Sequence, residues 1–236
     1  MGKVNTYITA ADGQRIEFTL DRGRRRTAAL AINEGRLTVR VPERASADDI
    51  RKFIEGHLEW IEKNLELSAK SSGLPRRFED GEQMRLLGEW LTITAVKSDR
   101  YFRPKTEDGK LLVAVCSDSS REYMARQVQT FIIETADREI TESMQRLTAL
   151  MGLYPKKVTV KDLSASWGRC NSKGNISINY KVVTYSKAHI DYVCIHELSH
   201  LVHMDHSSAF WGLVEKYCPD WRSIRGSMRI NSDEDE

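Results

Sequence analysis

The sequence has little that would tie it to a membrane, an oxidising compartment or a polyanion. Its longest uninterrupted apolar run is Leu111 to Cys116, far short of the roughly 18 residues that span a bilayer, so no membrane contact is expected. The opening MGKVNTYITA lacks an apolar core, and secretion by a signal peptide is not expected. Only 4 cysteines occur, Cys116, Cys170, Cys194 and Cys218, without a C-x-x-C pair. A disulfide framework or a zinc ribbon needs clustered cysteines, so reduced thiols in a cytoplasmic setting are expected. Charge of one sign is not in excess either. The 36 Lys+Arg and 34 Asp+Glu leave a net +2, which excludes a bulk polyanion binder, whose footprint is a strongly basic domain or stripe. Nucleic acid is therefore not an expected partner. What the 236 residues do have is 40% hydrophobic content, enough to bury a core.

Apolar and polar residues alternate from Tyr7 to Leu20 and from Thr27 to Val41, which predicts a β-rich meander with turns at Asp12-Gly13 and Glu34-Gly35. The basic run Arg22 to Arg26 between them is read as a solvated hairpin end. Ser46 is a good N-cap, and Ile50, Ile54, Leu58, Ile61 and Leu65 follow at helical steps, predicting one helix to about Ser68. Lys70 to Pro75 has linker composition, so a β-rich portion plus helix over 1–75 and a second portion over 76–236 are expected. In the second portion three short strands are predicted at Met84 to Leu87, Leu91 to Val96 and Leu111 to Val115. A helix of about thirty residues follows, capped by Ser119 or Ser120 and ended by Gly152. Strands are predicted at Val158 to Leu163 and Asn175 to Val183, and the acidic tail Ser232 to Glu236 reads as a solvated end.

Histidine is where the sequence is most uneven. Of 6 histidines, all but His57 fall between His189 and His206. His196-Glu197-Leu198-Ser199-His200 is an H-E-x-x-H pattern, and no Gly or Pro interrupts Lys187 to Asp205, so a helix capped by Ser186 is predicted across that stretch. Its apolar positions make one stripe, with the histidines on the other side facing a cleft. One helical turn separates His196 from His200, so their imidazoles can converge on one tetrahedral Zn²⁺. Glu197 points about 100° away from His196, beside the metal, where a carboxylate can take a proton from a metal-activated water.

A catalytic zinc needs a third protein ligand and one open position. The candidates are His203, His206 and Glu215. On a straight helix His203 would lie about 10 Å along the axis from His196. His206 follows Met204-Asp205, where the chain can turn back, and its offset from His196 matches the metzincin-type spacing. His206 is therefore the expected ligand, with the turn made by Asp205 in a left-handed conformation because His203 stands where that spacing has glycine. Phe210 and Trp211 are expected to pack the returning segment onto the helix. A strand at Asn175 to Val183 lying at a sheet edge could pair with an extended peptide. Trp167 and Asn179 are candidate substrate-binding residues at the cleft border, although core packing and a turn hydrogen bond account for them equally well.

Ile190-Asp191-Tyr192-Val193 leading into HELSHLVHMDHSSAFW, with Tyr217 and Pro219-Asp220-Trp221 after it, resembles the YgjP-like metallopeptidase family, related to the WLM and SprT-like zincins. The upstream segment Ser166-Trp167-Gly168-Arg169-Cys170, with Lys173-Gly174-Asn175-Ile176 and Asn179, belongs to the same resemblance. It departs at Arg169, where the family usually carries a small residue. The resemblance implies an α+β protein with an N-terminal β-rich portion and a zincin-like catalytic portion made of a long helix, a small sheet and the H-E-x-x-H helix. It also implies zinc on His196, His200 and His206, with Glu197 as general base. The reading is a zinc-dependent hydrolase, a metallopeptidase acting on a peptide or protein with a zinc-activated water. The alternatives are a nucleoside triphosphate pyrophosphatase on the same metal site, or a metal-dependent DNA-associated module.

Overall fold

The computed structural model describes residues 4–9, 15–33, 36–75, 77–116, 119–163 and 166–228. The expected turns at Asp12-Gly13 and Glu34-Gly35 and the acidic tail lie outside the described residues. The chain divides into two compact units, Met1–Ser72 and Gly73–Glu236.

In the first unit β1 (Val4–Thr9), β2 (Arg15–Gly23), β3 (Ala29–Asn33) and β4 (Arg36–Pro42) form a sheet of order β1-β2-β4-β3. This is not the expected meander, because β4 lies parallel to β2 and β3 is displaced to the edge. Burial explains the exchange. Leu37, Val39 and Val41 of β4 are all buried, so the strand that carries them takes an inner position, where one face is covered by the helices. Ser46 caps α1 (Ala47–Glu55) with a full capping box: its hydroxyl accepts from the Asp49 N–H, and the Asp49 carboxylate accepts from the Ser46 N–H. The single helix expected to about Ser68 is two helices. At Gly56 and His57 the bonding tightens, with the His57 N–H reaching back to the Ile54 carbonyl, and α2 (Leu58–Ser72) starts afresh. The basic run is partly structural, since Arg22 donates to the carbonyls of Glu43 and Ala45 at 3.1 and 2.7 Å.

Among the described residues the second unit holds two small sheets and four α-helices. β5 (Gln83–Leu86), β6 (Glu89–Lys97), β7 (Lys105–Glu107) and β8 (Lys110–Val115) are ordered β5-β6-β8-β7. β7 was not expected, because Lys105, Thr106 and Glu107 are all exposed and show no apolar alternation. Its hairpin rests on turn chemistry: Asp108 and Gly109 both take positive φ, 48° and 71°, as a two-residue turn with the hand of the strands requires. α3 (Arg121–Met151) is capped by Ser120 and closed by Gly152 in a left-handed conformation. β9 (Lys157–Lys161), β10 (Gly168–Cys170) and β11 (Asn175–Asn179) form the other sheet, of order β10-β11-β9. β11 ends four residues earlier than predicted, since the Asn179 side chain accepts from the Lys181 N–H and starts a 3-10 helix, Tyr180–Thr184. α4 (Lys187–Ser199), α5 (Ser208–Tyr217) and α6 (Trp221–Ser227) complete the unit. Both sheets, α3 and α4 share one apolar core, and the α+β class with a long helix and an H-E-x-x-H helix is as expected.

Candidate metal centre

α4 is held from several sides. Near its start, Lys187 reaches the buried Glu139 carboxylate at 2.8 Å and Asp191 accepts from Arg146 at 2.5 Å, tying it to α3. The expected single apolar stripe is not found. Ile190, Tyr192, Val193, Cys194, Ile195 and Leu198 are buried around most of the helix, because α3, α5, α6, β10 and β11 all pack on it. A helix surrounded in this way needs apolar residues on most faces.

The helix stops sooner than expected, at Ser199 rather than Asp205. The Ser199 hydroxyl donates back to the Ile195 carbonyl, and the N–H groups of Leu201 and Val202 bond three residues back, to Leu198 and Ser199. These tighter bonds turn the chain away from the axis. No residue from His200 to His206 has positive φ, so the left-handed Asp205 expected for the turn is not needed. Asp205 helps in another way: its carboxylate accepts from the Ser207 N–H at 3.3 Å, and Ser207 caps α5. The return toward α4 is thus built from two local side-chain caps.

The return brings three imidazoles together. His196 Nε2 lies 3.2 Å from His200 Nε2 and 3.3 Å from His206 Nε2. Tetrahedral bonds of about 2.0–2.1 Å to one ion place ligand atoms about 3.3–3.4 Å apart, so the spacing suits a metal. The donor atom of His200 is fixed from behind, since its Nδ1 faces the His203 carbonyl at 3.0 Å, which leaves Nε2 for a ligand bond. His203 therefore takes part through its main chain. Glu215 is paired with Arg222 at 2.7 Å and does not join the histidine group. Burial, the neighbouring His200 and His206, and Arg225 push the His196 pKa down to about 3, so it is neutral, as a ligand must be. Burial lowers His200 as well. Phe210 is fully buried beneath the cluster, and Trp211 stacks on His206 at 5.6 Å and on Trp221 at 4.1 Å. Both aromatics pack the returning segment against the helix, as expected.

Glu197 is only 4% exposed, and its Oε2 has no hydrogen-bond partner among the described residues. Burial lifts its pKa to about 8, against the opposing pull of Arg169. Burial and Glu197 together hold the nearby Cys170 thiol up, which makes it a poor nucleophile.

Trp167, just before β10, is half-buried and lies edge-on to Tyr185 at 5.2 Å. Asn179 has no exposed surface. Its amide donates to the carbonyls of Leu163 and Ser166 at 2.8 and 3.2 Å, and its N–H to that of Trp167 at 2.8 Å. Any contribution of Asn179 to substrate binding would run through the loop it holds. β11 is the central strand of its sheet, so the edge suggested for Asn175 to Val183 belongs instead to β9 and β10. Sequence reasoning missed the parts played by the His203 carbonyl and the Asp205-to-Ser207 caps. Ser207, three residues before Phe210, was the available signal.

The chain matches the family model described as YgjP-like, metallopeptidase domain, over residues 26–231. It belongs to the YgjP-like metallopeptidase family. No curated protein matches it. Among solved structures it is similar to the crystal structure of the metallopeptidase zymogen of Pyrococcus abyssi abylysin, with 27% identity, a TM-score of 0.34, and coverage of 37% of this chain and 89% of that one. Membership in the YgjP-like family makes the chain a hydrolase that uses a divalent metal, and the three-histidine cluster is a site that fits one.

Proposed function

We propose that this YgjP-like chain is a zinc-dependent peptidase in which His196, His200 and His206 hold the metal and Glu197 is the general base. The observation that carries the proposal is the convergence of three Nε2 atoms, with a buried carboxylate, Glu197, on the residue that follows His196 in the chain. Three neutral imidazoles favour Zn²⁺ over Mg²⁺ or Ca²⁺, which prefer oxygen, and they leave the fourth position open. Zinc, when bound, polarises the scissile carbonyl and makes water more acidic.

Glu197 moves the proton. Its carboxylate takes one from the attacking water and hands it to the leaving amine. Burial alone favours the neutral form of that carboxyl, and a cation held by the three histidines would favour the charged form that can take a proton. In this reading Trp167, the residue before Gly168, would meet the substrate, held in place by the bond from the Asn179 N–H to its carbonyl. A peptide or protein substrate, rather than a nucleotide, is supported by the family. A cytoplasmic setting is supported by the cysteines, all four of which are free thiols. Metal analysis together with cleavage of a randomised fluorescence-quenched peptide mixture tests the proposal. One zinc and chelator-sensitive cleavage are expected; cleavage that survives complete metal removal would overturn it.

A further inference from the structure

We infer that Gly168 is the seat of the Glu197 carboxylate, a positioning residue whose missing side chain lets β10 press against the general base and fix its conformation. The packing follows from the structure alone, and only its consequence for rate rests on the function proposed above.

A Cβ placed on Gly168 would stand 2.6 Å from Glu197 Cδ and closer still to Cγ and Oε1, nearer than real Cβ atoms come to any neighbour. Such a collision is cheap only when the side chain can swing aside. Glu197 cannot do so easily, because it is buried on a helix packed from several sides. No backbone requirement explains the glycine. Its φ is not positive, and it pairs with Ile178 in an ordinary antiparallel register, a conformation open to any L-residue. The three atoms nearest to such a Cβ all belong to Glu197, so space for that side chain is what the fold demands first at this position.

The seat is itself held firmly. The bonds of Asn179 to Trp167, Ser166 and Leu163 pin the chain entering β10, and the Asn171 N–H bonds the Asn175 carbonyl beyond it. Since Oε2 has no partner among the described residues, none of their hydrogen bonds at that oxygen sets the orientation of the carboxylate. A wall of main chain replaces it. A general base must lie within hydrogen-bond reach of its proton, and displacement by about 1 Å can cost 100-fold in rate.

The test is a double-mutant cycle of Gly168→Ala and Glu197→Ala on the full chain, read as melting temperature with zinc removed. Gly168→Ala should lower the melting temperature by about 2–12 °C, the range that overpacking produces in a chain of this length. In the Glu197→Ala background it should cost close to nothing. Equal losses in both backgrounds would overturn the inference. Should Gly168→Ala alone fail to fold, the double variant should fold, and its failure would equally overturn it. With zinc bound and the quenched peptide mixture as probe, Gly168→Ala should lower kcat at least about 100-fold with KM and zinc content unchanged; kcat retained within about tenfold overturns the positioning role. If the wild-type protein cleaves no peptide, the proposed function fails, while the melting cycle still decides the seat.

Discussion

The ring of Phe210 lies beneath His200, with centroids 4.5 Å apart and planes 28° from parallel. The same ring meets His196 and His206 edge-on at 4.9 Å. One fully buried side chain thus supports all three imidazoles from below. It stands in the first turn of α5, where Ser207 caps the helix, so the cap that starts α5 also places the floor of the metal centre.

Removing that floor should be costly. Truncation of a buried Phe to Ala typically costs about 3–5 kcal/mol, and here it also frees the three clustered imidazoles to rotate. Phe210→Ala is expected to lower the melting temperature and weaken zinc binding together, with Phe210→Leu milder in both. Calorimetry and competition with a metal chelator measure the two effects. Wild-type zinc affinity in Phe210→Ala would show that the floor does not orient the ligands.

The third ligand can be separated from its rivals. His206→Ala should cut zinc affinity sharply. His203→Ala should leave it near wild type, because the bond to His200 uses the His203 carbonyl, which the variant keeps. Glu215→Ala should also leave the metal in place, since its carboxylate is engaged with Arg222. Zinc retained in His206→Ala and lost in His203→Ala would reverse the assignment.

Metal removal should destabilise the chain by mass action. Zinc at a hundred times its Kd adds about 2.7 kcal/mol, worth about 5–10 °C in a protein of this length. Scanning calorimetry with and without a chelator checks this. Identical melting temperatures would mean that the histidine cluster does not bind zinc in the folded state.

How much of this was legible in the sequence depended on whether local or distant contacts decided the outcome. Ser46, Ser120 and Gly152 end their helices through their own hydrogen bonds or φ, so those ends could be read directly. The convergence of His196, His200 and His206 was legible for a similar reason, because helical periodicity and a short return set it. The place of β4 beside β2 was not, since strand order follows from which strand buries most surface in the finished unit. β10 was missed because Gly168, Arg169 and Cys170 carry no alternation; the strand exists through its pairing with β11. The early end of α4 escaped because neither Gly nor Pro marks it, and the Ser199 hydroxyl bond to Ile195 is visible only in three dimensions.

Stability should depend on pH through the tie between α3 and α4. Burial alone would raise the Glu139 carboxyl, but bonds from Lys187 and Arg138 outweigh it and leave its pKa below the ordinary 4.5. A depressed carboxyl pKa stabilises the fold above the unfolded value and loses that contribution as pH falls through the folded one. Glu139→Gln should therefore be less stable than wild type at neutral pH, with the gap closing as pH drops below 4.5. Thermal melts across that range check it, and a gap that stayed constant would contradict the pairing.

In the proposed mechanism Glu197 moves a proton and does not hold the metal. Measuring zinc content and peptide cleavage in Glu197→Gln tests it most directly, because the amide cannot accept the proton yet leaves the three histidines undisturbed. About one zinc per chain, as in wild type, is expected, with cleavage reduced at least about 100-fold. Cleavage retained within about tenfold of wild type, or zinc lost along with activity, would contradict it.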